Sequence, residues 1–305
     1  MKYTEWLQQW ISLCTATSKE STKEKYEQVI RTHINPCLGE YDLNEINTDI
    51  LRQFSLNLLA SDLASNTLKG IMFVVKASLN VAVKLGFADK NYTEALVSPR
   101  SPVTHASALS AHEQKKLEHF IVLHNKSEEF GILFSLYTGV RIGELLALQW
   151  NDIDLSKGIA HIHKTSRDVW TNNSYQKCIS GPKTAASNRY IPIPKQILPL
   201  MRKLYHGNNE AFLVENSRHH CLQTRSYQEL FSKILQKLEI PHKGFHSLRH
   251  TFATRALECG MDVKTLSEIL GHADPSITLK RYAHSMLEHK IAMMNRLGNI
   301  LSVSL

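Results

Sequence analysis

Two closely spaced prolines divide this chain into parts that fold separately. In Val97-Ser98-Pro99-Arg100-Ser101-Pro102 each proline disfavours helical geometry at the residue before it, so the stretch reads as an extended linker. Helix signals stop before it and restart after it. Upstream, a first helix is expected around Trp6 to Leu13, and a second from the capping-box pattern Ser21-Thr22-Lys23-Glu24 to near Asn35-Pro36. Asn47 or Thr48 can cap the next, and Ser65 or Asn66 starts one that runs through Ile71-Met72-Phe73-Val74-Val75 and stops at Gly86. Downstream, Ser110-Ala111-His112-Glu113 is another capping box, helical patterns continue to about Gln149, and helices resume from Lys195. Between them Gly158 to His163 and Arg189 to Ile193 alternate apolar and polar residues, which predicts a short β-rich insert. The expected architecture is mainly α with a small antiparallel β-sheet: a helical bundle over 1–97, a linker over 98–106 and a second domain over 107–305.

The second domain carries an unusual set of side chains in one order: Arg141, Lys183, the run His246-Ser247-Leu248-Arg249-His250, His272 and Tyr282. Together they suit the cutting of a phosphodiester by a tyrosine nucleophile. A pentacoordinate phosphorane gathers negative charge on its equatorial oxygens, and fixed cationic donors aimed there supply the largest catalytic contribution. Gly139 can close one helix in a left-handed cap, leaving Arg141 at the start of the next, with Glu144 one turn on to orient its guanidinium. Taken alone, that Arg/Glu pair would be an ordinary surface ion pair. His246 and Arg249 lie one helical turn apart and project together, so a phosphate can lie across both.

His250, four residues after His246, invites a metal reading, but Ser247 stands where a zinc-protease helix has glutamate and Arg249 would set a fixed cation beside the ion. His250 is therefore read as polar packing or as support for its neighbours in the site, and no metal or cofactor is expected. Gly271 looks like the residue just past a helix end, with Asp274 and Pro275 as cap and first position of the next helix. This puts His272 on a short elbow and Tyr282 about two turns into the following helix. Lys183, in Gly181-Pro182-Lys183-Thr184, fails as a phosphate loop because Pro182 separates glycine from lysine. A solvated hairpin lysine remains the alternative.

A free tyrosine ionises near pH 10, so only about one hydroxyl in a thousand is phenolate at neutral pH. Arg141, Arg249 and a histidine base would lower that barrier or take the proton during attack. A phosphotyrosyl intermediate follows, without need of a metal.

These frames resemble the tyrosine recombinase family, the integrases of phages and conjugative elements with their Xer-type relatives. The similarity runs from about Ser107 to Tyr282, and more loosely over Tyr26 to Phe54, which looks like the start of the family's core-binding domain. The resemblance assigns Arg141 as first catalytic arginine, Glu144 as its acidic support, His246 and Arg249 as the HxxR pair, His272 as the His-or-Trp position and Tyr282 as nucleophile. Lys183 becomes the general acid that protonates the leaving 5′-hydroxyl. It further implies two lobes closing as a clamp on double-stranded DNA attachment sites, a homo-tetramer on synapsed DNA from a monomer or weak dimer, a host DNA-bending protein and a directionality factor. Integration or excision of a mobile element is the expected role. A Xer-type dimer-resolving recombinase, a type IB topoisomerase-like enzyme and a non-catalytic DNA-binding regulator are the alternatives.

Net charge is +8, which suits a polyanion partner. Lys23, Lys25, Lys69, Lys76 and Arg189 are the candidate DNA contacts. Five scattered cysteines with no CxxC spacing argue against a disulfide framework or zinc site, and no apolar signal or span is seen. A cytoplasmic, nucleoid-associated protein with no membrane partner is expected. Beyond Tyr282, Ile291, Met294 and Leu297 form an apolar stripe at helical spacing, which packs on its own domain or, by the resemblance, on a neighbouring protomer.

Overall fold

The computed structural model describes residues 1–15, 20–99, 108–124, 126–171, 174–182, 185–216, 221–276 and 286–301. It divides into two compact units, Met1–His105 and Ala106–Leu305.

The first unit is all helical. Helix α1 (Tyr3–Thr15) sets Tyr3, Trp6, Leu7 and Trp10 on one face, and all four are buried. Large side chains of this kind contribute about 1.5–3 kcal/mol each when fully removed from water. Their polar ends are satisfied locally at two positions: the Tyr3 hydroxyl bonds Ser78 Oγ at 2.7 Å, and Trp6 Nε1 donates to the Ser78 carbonyl at 3.1 Å. Helix α2 (Glu20–Val29) already includes Glu20, so Ser21 lies inside it rather than at its cap.

The chain then passes through a π-helical stretch, Ile30–Ile34, into α3 (Asn35–Leu38), where the sequence predicts a stop near Pro36. Wide turns absorb the proline: Asn35 N–H donates to the Ile30 carbonyl, and Pro36, which has no N–H to give, enters at the first turn of α3. Helix α4 (Thr48–Leu59) is capped by Asn47, whose Oδ1 accepts from the N–H groups of Asp49 and Ile50 at 3.0 and 3.1 Å. Helix α5 (Ser65–Lys84) ends just before Gly86. Of the candidate DNA contacts here, Lys25 and Lys69 are exposed and Lys23 and Lys76 half-buried.

The second unit opens on α6 (Ala111–His124), whose capping box closes reciprocally: Ser110 N–H donates to Glu113 Oε2 at 2.7 Å and Glu113 N–H to Ser110 Oγ at 3.2 Å. Helices α7 (Ser127–Thr138) and α8 (Ile142–Ala147) follow, then the β-rich insert. Strands β1 (Ile153–Asp154), β2 (Ile159–Ile162) and β5 (Arg189–Pro192) make a three-stranded antiparallel sheet, with Ile162 opposite Arg189 and Ile159 opposite Pro192. Strands β3 (Thr165–Thr171) and β4 (Ser174–Ser180) form a separate hairpin that the alternation of apolar residues does not predict.

Helices α9 (Leu198–Leu204), α10 (Thr224–Lys237), α11 (His246–Glu258), α12 (Val263–Leu270) and α13 (Met286–Leu301) complete the described residues. The core gathers Phe130 and Phe134 of α7, Leu145 of α8, Tyr227 and Phe231 of α10 and Leu248 of α11. It therefore fixes the elements that carry the candidate site against one another. Among the described residues no helix is long and apolar enough to cross a membrane.

Candidate active site

Helix α7 ends where the sequence places its end. Gly139 adopts a left-handed φ of 68°, and a Cβ there would lie 2.5 Å from Phe252 Cδ1 and 2.8 Å from Leu270 Cδ2. Two residues later Arg141 takes extended backbone as the cap of α8. Its own N–H donates to Glu144 Oε2 at 3.0 Å, its Nη1 to Glu144 Oε1 at 2.8 Å, and its Nη2 to the Gly271 carbonyl at 3.2 Å. The residue is thus aimed by three acceptors while its side chain stays 35% exposed.

Glu144 serves two arginines. Arg189 of β5 grips it as a fork, Nη1 to Oε1 at 3.1 Å and Nη2 to Oε2 at 2.9 Å, with both side chains only 7% exposed. Burial alone would push the Glu144 carboxyl up, but the bonds and charge of Arg189, then those of Arg141, outweigh it and hold the group below the usual carboxylate range. This corrects the reading of Arg189 as a DNA contact. Its remaining donors also turn inward, Nε to the Ile269 carbonyl at 2.6 Å and Nη1 to the Ser187 carbonyl at 3.2 Å. The alternation of Arg189, Ile191 and Ile193, all buried on one face, is the sequence signal that could reveal it.

Helix α11 begins at His246, which is exposed, while Arg249 one turn on is 2% exposed. Rather than projecting outward beside His246, Arg249 fastens two helix ends: Nη1 donates to the Gly139 carbonyl at 2.8 Å and Nη2 to the Leu270 carbonyl at 2.6 Å. Nη2 also meets His272 Nε2 at 2.9 Å. A guanidinium has no acceptor, so Nε2 presents its lone pair and the His272 proton sits on Nδ1. His250 is buried, its ring edge-on to that of His246 at 4.7 Å, in keeping with a packing role.

The elbow bearing His272 is set by Gly271, with φ 63°, and by the His272 N–H donating to the Ser267 carbonyl at 3.1 Å. Asp274 accepts the Ser276 N–H at 2.8 Å, the local cap expected before Pro275. Arg141, His246 and His272 line a single cleft of about 540 Å³ together with Lys164 and Pro182. Lys183 and Tyr282 lie outside the described residues. Lys164 escapes the sequence reading: it follows β2 closely, and its Nζ donates to Gln149 Oε1 at 2.7 Å and pairs with Asp152 Oδ2 at 2.9 Å.

The chain matches the family described as Phage integrase family over residues 108–289, and the Phage integrase, N-terminal SAM-like domain over residues 2–59. Among curated proteins, the tyrosine recombinase XerC-like protein of Caldanaerobacter subterraneus subsp. tengcongensis is 28% identical, over 92% of this chain and 78% of its own length. The ICEBs1 integrase of Bacillus subtilis is 24% identical, over 96% and 81% respectively. Among solved structures, the Tn1549 transposon integrase (residues 82–397, R225K) in complex with a circular intermediate DNA superposes with a TM-score of 0.78 at 21% identity. That alignment covers 97% of this chain and 99% of the other.

Proposed function

This chain belongs to the phage integrase family, and from that premise we propose that it integrates or excises a mobile genetic element by cutting and rejoining duplex DNA through a 3′-phosphotyrosyl bond to Tyr282. It is a site-specific tyrosine recombinase. The observation that carries the residue assignment is the gathering of Arg141, His246 and His272, which are far apart in sequence, around one cleft, with Arg249 bonded to His272.

In this reading Arg141 binds a non-bridging oxygen of the scissile phosphate, and Glu144 keeps its guanidinium from swinging away. Arg249 adds a second fixed positive charge and holds His272 with Nδ1–H as a donor. The Tyr282 oxygen attacks phosphorus as His246 takes the phenolic proton. The bond to the 5′-oxygen breaks, and Lys183 delivers a proton to that oxygen. The phosphodiester energy is kept in the tyrosyl ester, so a second 5′-hydroxyl reverses the step without ATP.

Four copies act on two paired DNA sites, and α13 links them: it lies against α11 yet leaves Ile291, Met294, Leu297 and Leu301 exposed along its length. Lys25 and Lys69 contribute salt-sensitive phosphate contacts. A Xer-type, dimer-resolving role is the second reading, favoured by the similarity to the XerC-like protein.

The test incubates the protein with nicked duplexes taken from DNA flanking its coding region and looks for a covalent adduct on a denaturing gel. An adduct that Tyr282→Phe abolishes while DNA binding persists supports the reading. An adduct that survives Tyr282→Phe places the nucleophile elsewhere. Recombination between a circularised element and its target, as against reduction of plasmid dimers, separates the two roles.

A further inference from the structure

We infer that Arg189 is a positioning residue for strand cleavage, setting both Arg141 and the His272 elbow through Glu144 and the end of α12; this rests on the recombinase reading above. Its guanidinium stands between three parts of the site. It grips both oxygens of Glu144 at 3.1 and 2.9 Å, and Glu144 in turn aims Arg141 through Oε1 at 2.8 Å. It holds the Ile269 carbonyl at 2.6 Å, two residues before Gly271, whose own carbonyl accepts from Arg141 Nη2 at 3.2 Å. The contact is close-packed as well as bonded, because a Cβ on residue 271 would come within 2.9 Å of Arg189 Nη1 and 3.0 Å of its Cζ.

Arg189 also stands six residues after Lys183 and begins β5, which is held in register by β2. One buried cation therefore ties the strand that follows the general acid, the carboxylate that orients the exposed arginine and the turn that presents His272. A lysine cannot replace it, since a single ammonium spans neither the two carboxylate oxygens nor the carbonyl beyond them. Without Arg189, Glu144 would keep only Arg141 as a cationic partner. A buried carboxylate so deprived takes up a proton more readily, and a protonated Glu144 grips Arg141 less firmly.

The probe is a nicked duplex that the wild-type protein itself selects from a random-sequence pool. Arg189→Lys and Arg189→Gln should bind this duplex as wild type does but form the Tyr282 adduct about a hundredfold more slowly, the cost of a small misplacement of catalytic groups. The acid limb of the Arg189→Gln pH–rate profile should move to higher pH, because cleavage now requires Glu144 to lose a proton that it holds more tightly; Arg189→Lys keeps a positive charge beside the carboxylate and should move the limb less. In Arg189→Gln/Glu144→Gln the limb should return to its wild-type place while the rate stays low. That pair also serves if Arg189→Gln alone does not fold, since it removes the buried charge together with its partner.

Wild-type cleavage rates in both single variants, a loss confined to DNA affinity, or a displaced limb that persists in the double variant would each overturn the inference. Absence of an adduct in the wild-type protein would instead count against the recombinase assignment of the site.

Discussion

Replacing Gly139 by alanine separates two costs that the structure makes distinguishable. The first is conformational: at φ 68° an L-residue pays roughly 1–2 kcal/mol. The second is steric, for the new methyl would sit 2.5 Å from Phe252 Cδ1 and 2.8 Å from Leu270 Cδ2, both parts of packed side chains. Overpacking of that kind adds about 1–3 kcal/mol. Gly260 is an internal reference in the same unit, with φ 88° and nothing within 4 Å of the place a Cβ would take, so Gly260→Ala bears the first cost alone.

In a unit of this size each kcal/mol lowers the melting temperature by about 2–4 °C. Gly139→Ala should therefore melt about 2–12 °C below Gly260→Ala, as followed by calorimetry on the whole chain. Adduct formation should fall as well, because the Gly139 carbonyl is one of the acceptors that hold Arg249. Equal melting temperatures for the two variants would refute the packing argument, and normal cleavage in Gly139→Ala would refute the link to Arg249.

Other variants probe separate parts of the molecule. Glu144→Gln should be less stable than wild type at neutral pH, and because the folded-state pKa of Glu144 is depressed, the difference should be full above the unfolded value of about 4.3 and shrink as pH falls below it; urea titrations across that range measure it. Tyr3→Phe removes a buried hydroxyl bonded to Ser78, so the first unit should lose about 1 kcal/mol while the melting of the second is unchanged, which two-transition calorimetry resolves. Truncation after Ser285 deletes α13 and should weaken strand exchange more than DNA binding; equal loss in gel-shift and recombination assays would argue against a role in assembly.

Local chemistry makes much of this legible. Asn47, Ser110, Gly139 and Gly271 each act through their nearest neighbours in the chain, so a cap or a left-handed turn can be read from a few residues. The strands β2 and β5 are accessible too, since both alternate, although their pairing is seen only in the fold. What escapes notice depends on contacts between distant segments. Arg189 reads as one more surface cation until Glu144, 45 residues earlier, is brought against it. Arg249 reads as a partner of His246 because helical spacing says nothing of depth, and only the packing of α7 and α12 around α11 shows that Arg249 is buried against two helix ends while His246 is exposed. The π-helical stretch at Ile30–Ile34 carries no marker in its composition, and it lets the helix run past a proline that usually ends one.

Arg249 joins the ends of two helices before it reaches His272, so this position cannot be eroded without loosening the scaffold around it. A gene copy drifting out of use has easier routes to silence: an exposed residue such as His246 can be lost while the protein still folds. Inert but intact descendants of such a chain should accordingly keep their buried arginine long after the histidine at the head of the same helix has gone.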